Sequence, residues 1–145
     1  MSKTMFPHVV TIYTITEDPV TFAAERNITV LRGVLLDAAK AVNVRTSGLV
    51  SADSVNLYIP FGVDAFDGIS LLPKAYARPK QYRDTADKSG VWTLDSENTF
   101  FVKGEVVEPD RDFNYINQNY DNVHRITSVD EKDFGSLKHW EVGGS

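Results

Sequence analysis

The residues best suited to ligand binding lie close together near the middle of the chain. Four cations fall within ten residues that contain no acid: Lys74, Arg78, Lys80 and Arg83. Tyr76 and Tyr82 are interleaved with them. Cationic side chains neutralise phosphates, and aromatic rings can stack on bases or pack against the backbone. We therefore predict a contact with DNA in a channel, or with acids of a neighbouring subunit. An ordinary solvated loop is the alternative.

Residues that would support catalysis or metal binding show no such grouping. The histidines are His8, His124 and His139, and none follows the short spacing of a metal-binding motif. Carboxylate pairs such as Asp64 and Asp67 do acid–base work when burial separates their pKa values, but here the pairs lie in polar, turn-like stretches. The sequence predicts no cofactor, no metal site and no enzyme. A hydrolase stays an alternative, which a buried carboxylate pair in a cleft would reveal.

The composition narrows the class of protein. The chain has 145 residues, a formal net charge of −5 and no cysteine. The acidic balance argues against nucleic-acid binding over the whole surface, although a local basic stripe remains compatible with it. The lack of cysteine excludes disulfides and thiolate metal sites. Apolar stretches are too short to cross a membrane. We expect a single domain over residues 1–145 and no membrane partner.

Most of the chain has the alternating pattern of β-strands, which would position these residues. In the stretch VNLYIP, Val55, Leu57 and Ile59 share one face, and Pro60 ends the strand because proline has no N–H. Runs rich in β-branched residues at 8–16 and 27–36 predict two further strands, although Arg32 interrupts the apolar face of the second. Its Ala-rich continuation to Asn43 fits a short helix or a bent strand pair, of which we favour the strand pair.

The remaining segments complete a mainly β pattern. Residues 90–107 predict a hairpin, with a turn at 95–98 between two apolar arms. Residues 110–120 predict one short helix, capped by Asp110 or Asp112. Residues 61–90 fit neither period and are predicted to be a long inserted loop, which is uncommon in a compact domain. Together these patterns predict a small single-domain β-barrel or sandwich of six to eight short strands.

The last residues of the chain, 137–145, are unusual for a terminus. His139, Trp140 and Val142 stand in the alternating stretch LKHWEV. A tryptophan in this position can bury its ring in a core, or it can dock on another chain. We predict a C-terminal strand that packs the ring of Trp140, followed by a docking tail that reaches a partner.

Whole blocks of the chain resemble a family of small minor structural proteins of tailed bacteriophages and prophages, found mostly in phages of Gram-positive bacteria. The blocks are RGVLLDAAKAVNVRTSGLVSADSVNLYIPF, DKSGVWTLDSENTFFVKGEV, YDNVHRITSVDEKDFGS and HWEVGGS. The resemblance extends over roughly Ile28 to Gly144, and its most specific parts are SGL…ADSV…YIPF and HWEVGG. This chain departs from the family after the RGV strand, where it has Leu35, Leu36 and Asp37 and members often carry a bulky residue.

The resemblance implies a virion protein of the neck between capsid and tail, assembled in the host cytoplasm. It implies a head-closure (stopper) subunit that forms a six-fold or twelve-fold ring with copies of itself. Such a ring joins the portal or adaptor to tail-completion or tail-tube proteins and helps to retain DNA. The alternative within the family is a tail-completion or tail-terminator ring. Outside it, the alternative is a nucleic-acid-binding barrel of the OB type.

Overall fold

The computed structural model describes residues 5–37 and 54–145. The strands are β1 (His8–Glu17), β2 (Ala24–Asp37), β3 (Val55–Pro60), β4 (Asp64–Asp67), β5 (Ala75–Tyr76), β6 (Val91–Trp92), β7 (Thr99–Lys103), β8 (Val123–Lys132) and β9 (His139–Gly144). The helices are α1 (Pro79–Asp84), a 3-10 turn (Lys88–Gly90) and α2 (Phe113–Asn119). No helix in the described ranges is both long and apolar enough to span a membrane.

Six strands form a closed antiparallel barrel in the order β1-β7-β8-β9-β3-β2. Pairing of β1 with β2 closes the barrel. Strand β4 pairs with Thr29 to Arg32 of β2, on the edge opposite β1. The prediction of a small, mainly β barrel is confirmed. The helix predicted near 110–120 is also confirmed as α2, which Asp112 caps by accepting a hydrogen bond from the Tyr115 N–H at 3.0 Å.

The apolar side chains of the strands divide between two packed layers. The interior of the barrel holds Leu31, Leu57, Ile59, Phe101, Ile126, Trp140 and Val142, among others. An outer layer beneath α2 holds Tyr13, Ile28, Phe100, Val102, Ile116 and Val123. Strand β7 contributes to both layers, so both of its faces are apolar and buried.

A bulge at Gly33 explains why Arg32 interrupts the apolar pattern of β2. Val9 pairs with Arg32 and His8 pairs with Val34, so Gly33 is an extra residue, and its φ of +94° favours glycine. The bulge moves the even-numbered residues of β2 from the outer face to the barrel interior. Arg32 therefore lies outside, where it pairs with Glu105 at 3.0 Å.

The segment between β3 and β7 contains short elements rather than irregular chain alone. It carries β4, β5, α1, the 3-10 turn and β6, of which β5 and β6 pair in parallel. The predicted hairpin over 90–107 is therefore wrong, although its turn forms, with the N–H of Thr99 donating to the Asp95 carbonyl. Both edges of β7 are taken by the long strands β1 and β8, and the two-residue β6 pairs with β5 instead.

The predicted continuation of β2 can be followed only in part. The strand runs to Asp37. The strand pair or helix predicted toward Asn43 lies outside the described residues.

His8 links β1 to the end of β2 and makes stability dependent on pH. Its Nδ1 accepts a hydrogen bond from the Leu36 N–H at 3.0 Å, and burial, aided by the charge of Lys103, lowers the pKa of His8 below 6.5. The unfolded chain thus takes up the proton more readily than the folded chain. We expect the free energy of unfolding to fall as the pH drops below 6.5 toward the lowered pKa, and then to level off. Urea unfolding of wild type and His8→Gln between about pH 5 and about pH 8 measures this, and equal pH slopes would contradict it.

Candidate functional site

Lys74 does not face a DNA channel, contrary to the sequence prediction, because its side chain is only 1% exposed. Its Nζ donates to Asn27 Oδ1 at 2.5 Å, to the Ile28 carbonyl at 3.2 Å and to Thr29 Oγ1 at 3.0 Å. Asp67 Oδ2 lies 3.7 Å from it. Burial lowers the pKa of Lys74, and the charge of Asp67 partly opposes this. Lys74 therefore fastens the chain after β4 to β2.

The two tyrosines of the basic segment are also structural. Tyr82 is 2% exposed, and Lys88 Nζ lies 5.4 Å from its ring centroid. Tyr76 is half-buried, and its ring centroid lies 4.3 Å from that of Trp140 and 5.0 Å from that of Trp92. Burial raises the pKa of each tyrosine to about 12. Because the ring of Tyr82 is buried, nucleic-acid bases cannot stack on it.

The remaining three cations of the segment are exposed, but two of them have acidic partners in the same chain. Arg78 lies 3.0 Å from Glu131, and Arg83 lies 3.4 Å from Asp95. Lys80 is exposed at the start of α1, and no ion pair links it to the residues that the structure describes. What appears in the sequence as a run of unopposed charge is largely neutralised by acids that lie outside the run.

The C-terminal residues belong to the barrel. Trp140 is 5% exposed and packs on Phe61, Tyr76 and Trp92, and Val142 is fully buried. His139 is half-buried, with Nδ1 3.1 Å from the Leu137 carbonyl. The predicted packing of Trp140 is what the structure has.

The predicted docking tail is wrong, because pairing continues to the last residue. Ser145 exchanges two backbone hydrogen bonds with Arg125. The two glycines before it allow close packing. A Cβ on Gly144 would lie 3.0 Å from Cζ of Phe101, and one on Gly143 would lie 2.6 Å from Oγ of Ser128. These contacts leave no free tail at 141–145.

A surface feature that the sequence prediction missed is the turn between β1 and β2, which we name the first apolar turn (residues 18–23). Asp18 Oδ1 accepts hydrogen bonds from the N–H groups of Val20 and Thr21 at 2.8 and 3.1 Å. The Phe22 N–H donates to the Asp18 carbonyl at 2.8 Å, and Phe22 has a φ of +61°. The Ala23 N–H donates to Thr21 Oγ1 at 3.3 Å. This network holds a bulky residue in the left-handed region, where such residues are rare.

The turn after β4, which we name the second apolar turn (residues 67–72), repeats this construction. Asp67 Oδ1 accepts from the N–H groups of Ile69 and Ser70 at 2.9 and 3.2 Å. The Leu71 N–H donates to the Asp67 carbonyl at 2.9 Å, and Leu71 has a φ of +66°. The Leu72 N–H donates to Ser70 Oγ at 3.3 Å. Both turns close with the N–H of the aspartate donating to the carbonyl of the sixth residue.

Both turns keep large apolar side chains in water. Their exposed fractions lie between 63 and 80%: Val20, Phe22, Ile69, Leu71 and Leu72. The sequence does contain the signal, since DPVTFA and DGISLL share an aspartate, a β-branched residue two positions later, a hydroxyl next and then a bulky apolar residue. Exposed apolar clusters of this kind often mark interaction sites.

The two turns lie toward the same end of β2. Strand β4 pairs with Thr29 to Arg32 and runs antiparallel to β2. The second apolar turn, which follows β4, therefore points toward Ala24, where β2 begins. The first apolar turn directly precedes Ala24. Lys74 fixes the second turn through Asp67.

Groupings that would indicate catalysis or metal binding are not found in the part of the chain that the structure describes. There is no cluster of three or more metal-ligating side chains there. His139 pairs with Lys132, eight positions along β8 from His124, so the two histidines do not converge. Asp95 is the only buried carboxylate of the described ranges, and it accepts from the Glu97 N–H and pairs with Arg83.

Comparison with known proteins gives one result. No curated protein and no solved structure matches the chain. A family described as a family of unknown function, DUF6751, matches residues 5–145. Since the match extends over nearly the whole chain, the protein belongs to the DUF6751 family.

Proposed function

We propose that the protein is a structural subunit of the phage head–tail junction, acting as a head-closure ring subunit between the portal or adaptor and the tail. The resemblance of its sequence blocks to minor phage structural proteins suggests this place. The observation that supports a structural role is the pair of apolar turns, which expose large apolar side chains to water. Phe22 and Leu71 adopt a left-handed backbone conformation there, which is unfavourable for bulky residues.

The closed barrel leaves assembly to features that project from it. Closure of the barrel pairs most of the strand edges by which open sheets associate, and the start of β2, beyond the end of β4, stays outside this pairing. Val20, Phe22 and Leu71 are exposed at turns, where a partner can cover them without changing the barrel. Burial of such side chains is the main favourable term in protein association.

Contact with packaged DNA has a smaller part in this proposal than the sequence suggested. Lys74 is buried, and Arg78 and Arg83 are paired with acids of the same chain. Of the four cations of the segment, this leaves Lys80 to contact a phosphate. Retention of DNA by the proposed ring therefore rests on its protein contacts.

Deletion of the gene in its phage, followed by electron microscopy of the particles, tests the proposal. Empty or leaking heads beside complete free tails are the expected result. Filled heads beside tails with unfinished upper ends would replace head closure by tail completion. Normal infectious particles would overturn the virion role altogether, and salt-dependent binding of single-stranded DNA by the isolated protein would then favour the OB-type barrel.

Complementation of the deletion tests the apolar turns themselves. Phe22→Ser should restore few infectious particles, whereas Phe134→Ser, a control with the same exposed fraction of 69%, should restore wild-type numbers. Equal titres from the two variants, both shown to fold by circular dichroism, would remove the first apolar turn from the interface.

A further inference from the structure

The edge of β2 that begins at Ala24 has backbone groups without a strand partner. The Asp18 N–H donates to the Ala23 carbonyl, so hydrogen-bonded pairs along this hairpin alternate from there, and Glu25 and Asn27 bond to β1. Ala24 and Arg26 therefore direct their N–H and C=O groups away from β1. Ile28 faces the same way, and its carbonyl accepts from the Gly68 N–H at 3.0 Å.

Strand β4 stops before it reaches these groups. Beyond Gly68 the chain turns away, and no backbone carbonyl of the described residues accepts a hydrogen bond from the N–H of Ala24 or Arg26. An open pocket of about 220 Å³ occupies this place, lined among others by Glu25, Arg26 and Ile69.

The two apolar turns lie at the two ends of this open edge. The first apolar turn precedes Ala24, and the second follows the last residue of β4. A strand placed along Ala24 to Arg26 would thus lie between Phe22 and Ile69, which are 69 and 64% exposed. Backbone pairing would supply hydrogen bonds, and the turns would supply apolar contact.

The charges beside the edge indicate what kind of strand fits. The side chain of Glu25 lies on one face of the hairpin with Thr16, its cross-strand neighbour. On this face Lys88 is turned toward the Thr85 carbonyl, to which it donates at 2.7 Å. The opposite face carries Ala24 and Ile15, and also Glu17, which pairs with Ala24, and Arg26, whose guanidinium donates to the Arg111 carbonyl at 2.6 Å. The carboxylates of Glu25 and Glu17 beside the edge therefore favour a cationic segment, and the small side chain of Ala24 leaves room for an apolar one.

Self-association through this edge is unfavourable. Two copies that pair Ala24 with Arg26 in antiparallel register would bring their Glu25 side chains directly opposite each other. Like charges in that position destabilise a strand pair. Asp18 and Glu17 add negative charge nearby. The arrangement thus selects against a second copy and for a basic segment of a different protein.

We propose that β2 accepts an added strand along Ala24 to Arg26, supplied by an extended segment of another protein in which basic and apolar residues alternate. The inference rests on the proposed function, since it assigns a partner chemistry to the surface marked by the apolar turns. Basic side chains of the segment lie beside Glu25, and its apolar side chains lie over Ala24 and contact the turns.

The test uses the full chain and a defined probe, the heptapeptide Lys-Val-Lys-Val-Lys-Val-Lys. Hydrogen exchange by NMR should show the amides of Ala24 and Arg26 slowed by about tenfold when the peptide is saturating, with Ile15 on the opposite edge of the hairpin unchanged. The matched peptide Glu-Val-Glu-Val-Glu-Val-Glu should give no slowing. Unchanged exchange with both peptides would overturn the inference.

Two variants separate strand addition from general attraction. Ala24→Pro removes an outward N–H and should weaken peptide binding about tenfold, whereas Ala24→Gly, which keeps this N–H and all charges, should not. Glu25→Lys keeps the backbone and should reverse the preference toward the acidic peptide. Equal binding by all variants would overturn the inference, as would concentration-dependent dimerisation of the free protein that protects Ala24 and Arg26.

These results are independent of the particle experiment. Amide protection combined with normal particles after gene deletion would refute the proposed function and leave the strand-addition site standing. Defective particles combined with unprotected amides would refute the strand-addition site alone.

Discussion

Replacement of Trp140 by alanine is expected to lower the free energy of unfolding by about 3–5 kcal/mol. The ring is 95% buried, and it contacts Phe61, Tyr76 and Trp92 with centroid distances of 4.4, 4.3 and 5.6 Å. Alanine would leave a large cavity among rings that cannot close over it. Since Trp140 pairs with both Ile59 and Glu131, the loss would weaken two seams of the barrel. Urea unfolding followed by circular dichroism measures the change.

Trp140→Phe is the matched control for this prediction. Trp140 Nε1 is buried and has no hydrogen-bond partner among the residues described. Phenylalanine removes this N–H and keeps most of the ring contacts, so the loss should be smaller, about 1–2 kcal/mol. A loss with phenylalanine as large as with alanine would contradict this prediction, because it would show that a six-membered ring keeps none of the packing of the indole.

Lys74→Ala is expected to lower the free energy of unfolding by about 2–4 kcal/mol. The change removes the donor for Asn27 Oδ1, the Ile28 carbonyl and Thr29 Oγ1, and leaves Asp67 without its cation. A lysine whose function was to contact DNA would cost almost nothing to remove from the free protein. The second apolar turn should also loosen, because Asp67 begins it.

Lys80→Ala provides the control on the same segment. Lys80 is exposed, so its removal should change stability by less than about 0.5 kcal/mol. Hydrogen exchange of the Leu71 amide, which donates to the Asp67 carbonyl, should rise in Lys74→Ala and stay unchanged in Lys80→Ala. Equal stability of the two variants would contradict the structural role of Lys74.

The basic segment shows why surface charge cannot be inferred from the order of charged residues in the sequence alone. Ten residues without an acid suggest an unopposed positive surface. In the folded chain Glu131 and Asp95 lie beside Arg78 and Arg83, and Lys74 is enclosed by β2 and Asp67. Glu131 comes from a distant part of the sequence, and Asp67 and Asp95 come from just before and just after the segment. Pairing of this kind depends on the order of the strands, which local charge spacing does not contain.

The apolar turns show the opposite case, in which the signal is local in the sequence. DPVTFA and DGISLL each place an aspartate before the N–H groups that it binds, and a hydroxyl before the next N–H. Short-range hydrogen bonds of this type depend on neighbouring residues only. What needs the tertiary structure is their common direction, because β4 brings the second turn alongside β2.

Local patterns in the sequence predict the elements that depend on few residues: the strands at 8–16 and 55–60, a cap of α2 at Asp110 or Asp112, and a buried Trp140. Alternation of side chains and capping act over a few residues, so they can be read without a fold. The folded barrel, in contrast, pairs β7 with β1 and β8 rather than in a hairpin, and its bulge at Gly33 reverses the faces of β2. Folding also buries Lys74 and leaves the edge at Ala24 open. These outcomes depend on contacts between residues far apart in the chain, and barrel closure sets such contacts only once all strands are in place.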